Sequence, residues 1–247
     1  MNWDLRLGDC LDPTTGLASL PDESVDIVIT DPPYAVSLDG VQHQGPHGTR
    51  KLDFFEGDAD WPAMVRFVVA VAEQCIRVAK KPGSAYWWCG HREFGPLVDL
   101  YESKGWTTKF LVWAKTCPPP PPPGSGWPSG AELCVYAYQP GRTWNYDGKR
   151  MPPNNVIRAD AFRHGMPGKV DHPTQKPEII AETAIRASTK PGDLILDPFT
   201  GSGTTGVAAI RNGRRFLGWE KEPKYHAIAM KRLAAAREQL DMFGGAA

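Results

Sequence analysis

The chain has 247 residues and a mass of 27.2 kDa, enough for one large core or two small ones. With 41% hydrophobic and 23% charged residues its composition is that of a globular protein, which excludes long disorder. The 28 Lys and Arg balance the 28 Asp and Glu, so the formal net charge is zero and argues against a uniformly basic nucleic-acid binder.

Apolar runs of strand length alternate with longer helical patterns along the chain. Val25–Thr30 is β-branched and short enough for a buried strand, and it stops at Asp31-Pro32. Residues 62–80 read as a helix, with Pro62 in its first turn and Lys80, Lys81, Pro82 and Gly83 closing it. Ser84–Cys89 is predicted as a strand and Arg92–Lys104 as a helix ended by Gly105. Strands over Lys109–Ala114 and Leu133–Tyr138 flank Cys117 and the polyproline run Pro118–Pro123, a stiff surface segment. From Gly141 to Val170 no period is visible, which points to a functional loop region. Regular structure resumes with a helix over Glu178–Ser188, a strand from Leu194 to Asp197 and a helix from about Gly203. A strand over Arg215–Glu220 and a last helix from Pro223 to about Leu240 complete the pattern. This alternation predicts an α/β fold, a mostly parallel twisted sheet with helices on both faces. We expect residues 1–247 to form a single domain with a loop insertion at about 117–170.

No apolar run approaches the ~18 residues of a membrane span. The opening Met-Asn-Trp-Asp-Leu-Arg predicts neither signal peptide nor anchor, so the cytoplasm is the expected compartment. The cysteines at 10, 75, 89, 117 and 134 form no CxxC pair, which argues against structural zinc and a disulfide framework; no metal is expected.

Two motifs carry chemistry. Asp31-Pro32-Pro33-Tyr34 follows a strand, at the end where open α/β sheets bind ligands. Consecutive prolines fix φ and donate no hydrogen bonds, so Asp31 and the Pro32 carbonyl are displayed rigidly beside an aromatic face. That suits a planar ligand with an amino group, whose two N–H hydrogens the two acceptors would take while Tyr34 stacks on the ring. The second motif runs from Asp197-Pro-Phe199 through Gly201, Gly203 and Gly206, again from a strand into a helix, and Glu220 ends the next strand. Its G-x-G-x-x-G spacing suits a dinucleotide site, and equally a tight turn that lets the amino-acid part of a cofactor approach the backbone.

In these motifs the sequence resembles the exocyclic-amino DNA methyltransferases of the β arrangement, in which the base-binding motif precedes the S-adenosylmethionine motif. His172-Pro-Thr-Gln-Lys-Pro177, Gly8-Asp9-Cys10-Leu11 and Gly213–Glu220 match further segments of that family. The resemblance implies a Rossmann-like methyltransferase fold with circularly permuted motif order and S-adenosylmethionine as cofactor. It implies that Phe199, Gly201 and Gly203 contact the methionine part, with Asp197 supporting the loop. Glu220 would hold the ribose hydroxyls, Asp9 the adenine amino group, and Thr174 and Lys176 would lie near the cofactor's carboxylate. Asp31, Pro32, Pro33 and Tyr34 become the catalytic motif. Asp in its first position is more often seen with adenine N6, and Ser with cytosine N4; adenine is favoured, with cytosine the alternative. An NAD-dependent dehydrogenase would account for Gly201–Gly206 and Glu220 but leaves Asp31–Tyr34 and His172–Pro177 unexplained. A non-catalytic DNA-binding relative would usually lose the acid at position 31.

The neutral total hides an uneven distribution. Residues 1–60 carry a long series of acids against Arg6, Arg50 and Lys51, whereas Lys115–Asp171 has a basic excess. Within it Arg142, Lys149, Arg150, Arg158 and Arg163 are candidate contacts to the phosphates or guanine edges of double-stranded DNA. Trp127, Trp144 and Tyr146 are candidate wedges or base-stacking groups. So small a recognition segment makes a homodimer an expectation as well.

Overall fold

The computed structural model describes residues 2–33, 61–118, 127–145, 154–163 and 165–242, with the backbone of 43–45 and 48–50. The catalytic-motif residue Tyr34, the basic residues Lys149 and Arg150, Tyr146 and most of the polyproline run lie outside the described residues.

Eight strands form one sheet. They are β1 (Trp3–Leu7), β2 (Val25–Thr30), β5 (Ala79–Cys89), β6 (Thr107–Lys115), β7 (Ala131–Tyr138), β8 (Val156–Ala159), β9 (Leu194–Asp197) and β10 (Arg215–Glu220). A separate two-stranded ribbon pairs β3 (His43–Gly45) with β4 (Gly48–Arg50). The main sheet has the order β1-β10-β9-β2-β5-β7-β6-β8. Only β7 runs against its neighbours β5 and β6, and the other five pairings within the sheet are parallel, as the alternating pattern predicts.

The period-two pleat sorts side chains between two layers of helices. On one face Ile27, Ile29, Tyr86, Trp88, Trp113 and Tyr136 are buried under three helices, α3 (Glu178–Ser188), α4 (Thr204–Arg211) and α5 (Pro223–Met242). On the other, Val28, Ala85, Trp87 and Val135 pack against α1 (Trp61–Val78) and α2 (His91–Ser103). Burying each large apolar side chain contributes about 1.5–3 kcal/mol. On the second face Trp87 Nε1 donates to the buried Tyr101 hydroxyl at 2.7 Å.

The strands β2 and β10 and the helix α3 coincide with the sequence expectation. Three elements differ. The segment 79–83, expected to close a helix, is the start of β5; the pairing shifts register between Val25 and Ile27, which takes up the extra residues. Within the stretch expected to be loop, Val156–Ala159 forms β8, added to the sheet beside β6 and fixed by Trp113 Nε1 donating to the Ala159 carbonyl at 2.9 Å. The edge strand β1 was not marked by any apolar run, because Asp4 and Arg6 lie on its solvent side and pair with each other.

Candidate functional site

The carboxyl ends of β1, β2, β9 and β10 converge on one cavity of about 620 Å³, within the size range of small-molecule sites. Both motifs open into it. Asp31, Pro32 and Pro33 form one wall with Trp88, while Asp9, Phe199, Gly201 and Glu220 line another, and Asp197, Thr174 and Lys176 also face it. Of the expected cofactor residues only Gly203 is outside the lining. With φ +85° it caps α4, and a Cβ there would come 3.1 Å from Ala229 Cβ, so its role is close packing of the loop on α5.

The cofactor-side loop is held from below and from both sides. Asp197 is 2% exposed and its Oδ1 accepts from Thr30 Oγ1 at 2.6 Å and from the Phe199 amide at 3.1 Å. Burial pushes its carboxyl up to about 6 against these donors. Glu220 accepts from the Gly201 amide at 2.8 Å and the Glu222 amide at 2.7 Å, and burial raises its pKa despite them. Arg232 of α5 donates to the Ser202 carbonyl at 2.6 Å and pairs with Glu178 at 3.2 Å, tying the loop to two helices. Phe67 of α1 meets the Phe199 ring at 5.8 Å between centroids. Asp9 accepts from the Leu11 amide at 2.9 Å and faces Lys221 at 3.4 Å.

On the Asp31 side lies a group of charges of which sequence reasoning found Asp31 and Lys176 but missed Glu132 and Lys115. Lys176 Nζ is 3.1 Å from Asp31 Oδ2 and 2.5 Å from Glu132 Oε2, and Lys115 Nζ is 2.9 Å from Glu132 Oε1. Burial alone would raise the Glu132 carboxyl, but Lys176 and Lys115 hold it down at about 2. Burial likewise opposes the Lys176 charge, and Asp31 with Glu132 outweighs it, raising that pKa above the ordinary value. No local signal marks Glu132 and Lys115: Glu132 is paired with Trp113 across β6 and β7, and it is this register that turns both toward the buried face. His172, in the segment before α3, packs edge-on against Tyr225 at 4.4 Å and lies against Gly201; burial lowers its pKa to about 4.

The candidate DNA contacts separate into two groups. Arg158 is exposed on β8 at the cavity end of the sheet, and Arg163 donates to the Cys117 carbonyl at 3.1 Å in the same region. Arg142 lies at the opposite end, where β5 begins, beside Asp26, Lys80 and Ser84. Its guanidinium stacks 3.8 Å from the Tyr138 ring and donates to the Tyr136 hydroxyl at 3.1 Å, a cation–π arrangement that serves packing. Trp144 is part of the same stack, 5.9 Å from Tyr136. Trp127 is 95% exposed. Among the described residues no group of His, Cys, Asp or Glu is arranged to hold a metal, and no helix is long and apolar enough to cross a membrane.

Comparison with known proteins gives the same architecture. The crystal structure of the M1.HpyAVI–SAM complex matches with a TM-score of 0.69 at 24% identity, covering 94% of this chain and 98% of that one. The PvuII DNA methyltransferase (cytosine-N4-specific) matches with a TM-score of 0.72 at 20% identity, covering 97% and 93%. In sequence, the type II methyltransferase M2.DpnII of Streptococcus pneumoniae is 34% identical over 236 residues, covering 90% of this chain and 87% of its own. The DNA adenine methyltransferase YhdJ of Escherichia coli (strain K12) is 32% identical over 248 residues, covering 89% and 80%. The DNA methylase family model N6_N4_Mtase matches residues 25–231, and the chain belongs to that family.

Proposed function

We propose that the protein is a site-specific DNA methyltransferase that moves a methyl group from S-adenosylmethionine to the exocyclic N6 of adenine in double-stranded DNA. The observation that carries this reading is that Asp31-Pro32-Pro33 and the 197–203 loop open into one cavity from neighbouring strands. The relatives M2.DpnII and YhdJ, one of them named an adenine methyltransferase, support it.

The cavity suits that cofactor chemically. Phe199 and Met64 offer apolar wall, the backbone around Gly201 allows close approach, and the Glu220 and Asp9 carboxylates are acceptors for ribose hydroxyls and an adenine amino group. When bound, S-adenosylmethionine supplies a methyl group activated on a sulfonium.

The chain's own residues then prepare the acceptor. The exocyclic nitrogen of adenine is a poor nucleophile because its lone pair is delocalised into the ring. Hydrogen bonds from its two N–H groups to Asp31 and the Pro32 carbonyl draw the nitrogen toward tetrahedral geometry and localise the lone pair. Orientation and electrostatic placement provide the acceleration. After transfer the cationic nitrogen loses a proton to Asp31 or to water. The target base has to leave the duplex, at a cost of a few kcal/mol, and stacking on Tyr34 returns about 1–3 kcal/mol.

The test is transfer of a radiolabelled methyl group to duplex DNA, followed by digestion to nucleosides. N6-methyl-2′-deoxyadenosine as the labelled product is expected. Label in N4-methylcytosine would overturn the choice of base, and label in neither would overturn the function.

A further inference from the structure

Lys176 is the centre of a chain of four charges, Lys115–Glu132–Lys176–Asp31, linked at 2.9, 2.5 and 3.1 Å. Its members come from four separate parts of the fold: the ends of β2 and β6, the start of β7 and the segment before α3. The side chains of Lys115 and Lys176 are only 9% and 11% exposed, and both ammonium groups lie over the Trp113 ring, at 5.2 and 5.8 Å from its centroid. Two acids and two bases make the group neutral as a whole. In such a buried set the loss of one member leaves an uncompensated charge.

The Asp31 and Glu132 carboxylates are already balanced by the Lys176 and Lys115 ammonium groups. A third, from a cofactor, would leave that corner of the cavity with excess negative charge. We infer that Lys176 serves Asp31 and not the cofactor's carboxylate: it is a positioning residue, held from behind by Glu132 and Lys115, that keeps the Asp31 carboxylate fixed and ionised to receive the target amine. This inference rests on the base-binding role proposed for Asp31. The titratable groups facing Lys176 are Asp31, Glu132 on β7, Lys115 on β6, Cys89 on β5 and His172 on its own segment. Burial holds the Cys89 thiol up at about 12 and the His172 imidazole down at about 4, so neither changes charge around neutral pH.

The experiment measures two quantities on the full chain: the dissociation constant of S-adenosylhomocysteine by calorimetry and the pH profile of kcat for DNA methylation. With Lys176→Met, S-adenosylhomocysteine should bind within about twofold of the parent. The kcat at neutral pH should fall about 10²-fold, and its acid limb should move to higher pH because Asp31 has lost its neighbouring cation. Lys176→Arg, which keeps the charge, should return the acid limb toward its original position. Glu132→Gln, equal in shape, should leave S-adenosylhomocysteine binding intact and move the alkaline limb to lower pH, since Lys176 loses a carboxylate that holds its proton. If Lys176→Met does not fold, the other two variants decide. An S-adenosylhomocysteine affinity weakened by about tenfold or more, with the pH limbs unmoved, would put Lys176 on the cofactor and overturn the inference. Normal methylation by the parent with unmoved limbs in the variants would overturn it alone, whereas no methylation by the parent would remove the function on which it rests.

Discussion

Asp197 shows how burial at a single residue sets pH behaviour. Its carboxyl is held at about 6 in the folded chain against an ordinary 3.8, so the folded state binds the proton more tightly than the unfolded one. The stability that this proton gives is complete below the unfolded value of 3.8 and is lost as pH rises through about 6. Glu220 is shifted in the same direction and adds to the same trend. Asparagine at 197 keeps an oxygen for Thr30 and the Phe199 amide while removing the charge. Asp197→Asn is therefore expected to gain stability over the parent between pH 4 and pH 8, by on the order of 1–3 kcal/mol, in denaturant titrations at each pH. A constant difference across that range would show that the buried charge is not the cause. Asp31 and Asp197 could be read from the sequence because each ends an apolar strand and precedes proline. Glu132 and Lys115 could not, since their function depends on a cross-strand pairing and on a lysine 44 residues beyond Glu132.

At the scale of elements, two glycines measure how closely the cofactor loop is packed. A Cβ on Gly218 of β10 would sit 2.3 Å from Thr200 Oγ1 and 2.9 Å from the Asp197 carbonyl, both parts of the loop. A Cβ on Gly206 of α4 would come 2.5 Å from Leu233 Cδ2, the movable end of a side chain, and 3.0 Å from the Phe216 ring. Gly218→Ala should cost about 1–3 kcal/mol and also weaken S-adenosylhomocysteine binding, whereas Gly206→Ala should cost less and leave binding closer to the parent's. Thermal unfolding and calorimetry check both, and an equal loss of affinity in the two variants would contradict this assignment. The same contrast explains which elements were legible. β2, α3 and β10 carry their own period and stop signals, so local sequence sets their limits. β8 is four residues long and is a strand because β6 and the Trp113 indole stand beside it. The start of β5 looks like a helix stop because Pro82-Gly83 is usually one, and here the sheet accommodates it through a shift in register.

Over the whole molecule, the zero net charge resolves into a cavity end lined by Asp9, Asp31 and Glu220 and flanked by Arg158 and Arg163. In the proposed function, DNA that presents a base to Asp31 would lie across this end of the sheet. Replacing Arg158 and Arg163 together with Ala should weaken DNA binding and flatten the slope of log K against log salt by about 0.9 for each phosphate contact removed. Arg142→Ala, at the opposite end, should leave that slope unchanged and cost about 1 kcal/mol of stability through its lost stack on Tyr138. An altered slope in Arg142→Ala would mean that DNA reaches the far end of the sheet. A second copy of the chain, which we propose as a source of further recognition surface, would appear as a doubled mass in solution.

The most direct test of the central claim is the rate of labelled methyl transfer to duplex DNA by the parent chain and by Asp31→Ala, with S-adenosylhomocysteine binding measured on both. The parent is expected to methylate DNA, and Asp31→Ala to lose activity by about 10²-fold or more while still binding S-adenosylhomocysteine. Full activity in Asp31→Ala would contradict the mechanism.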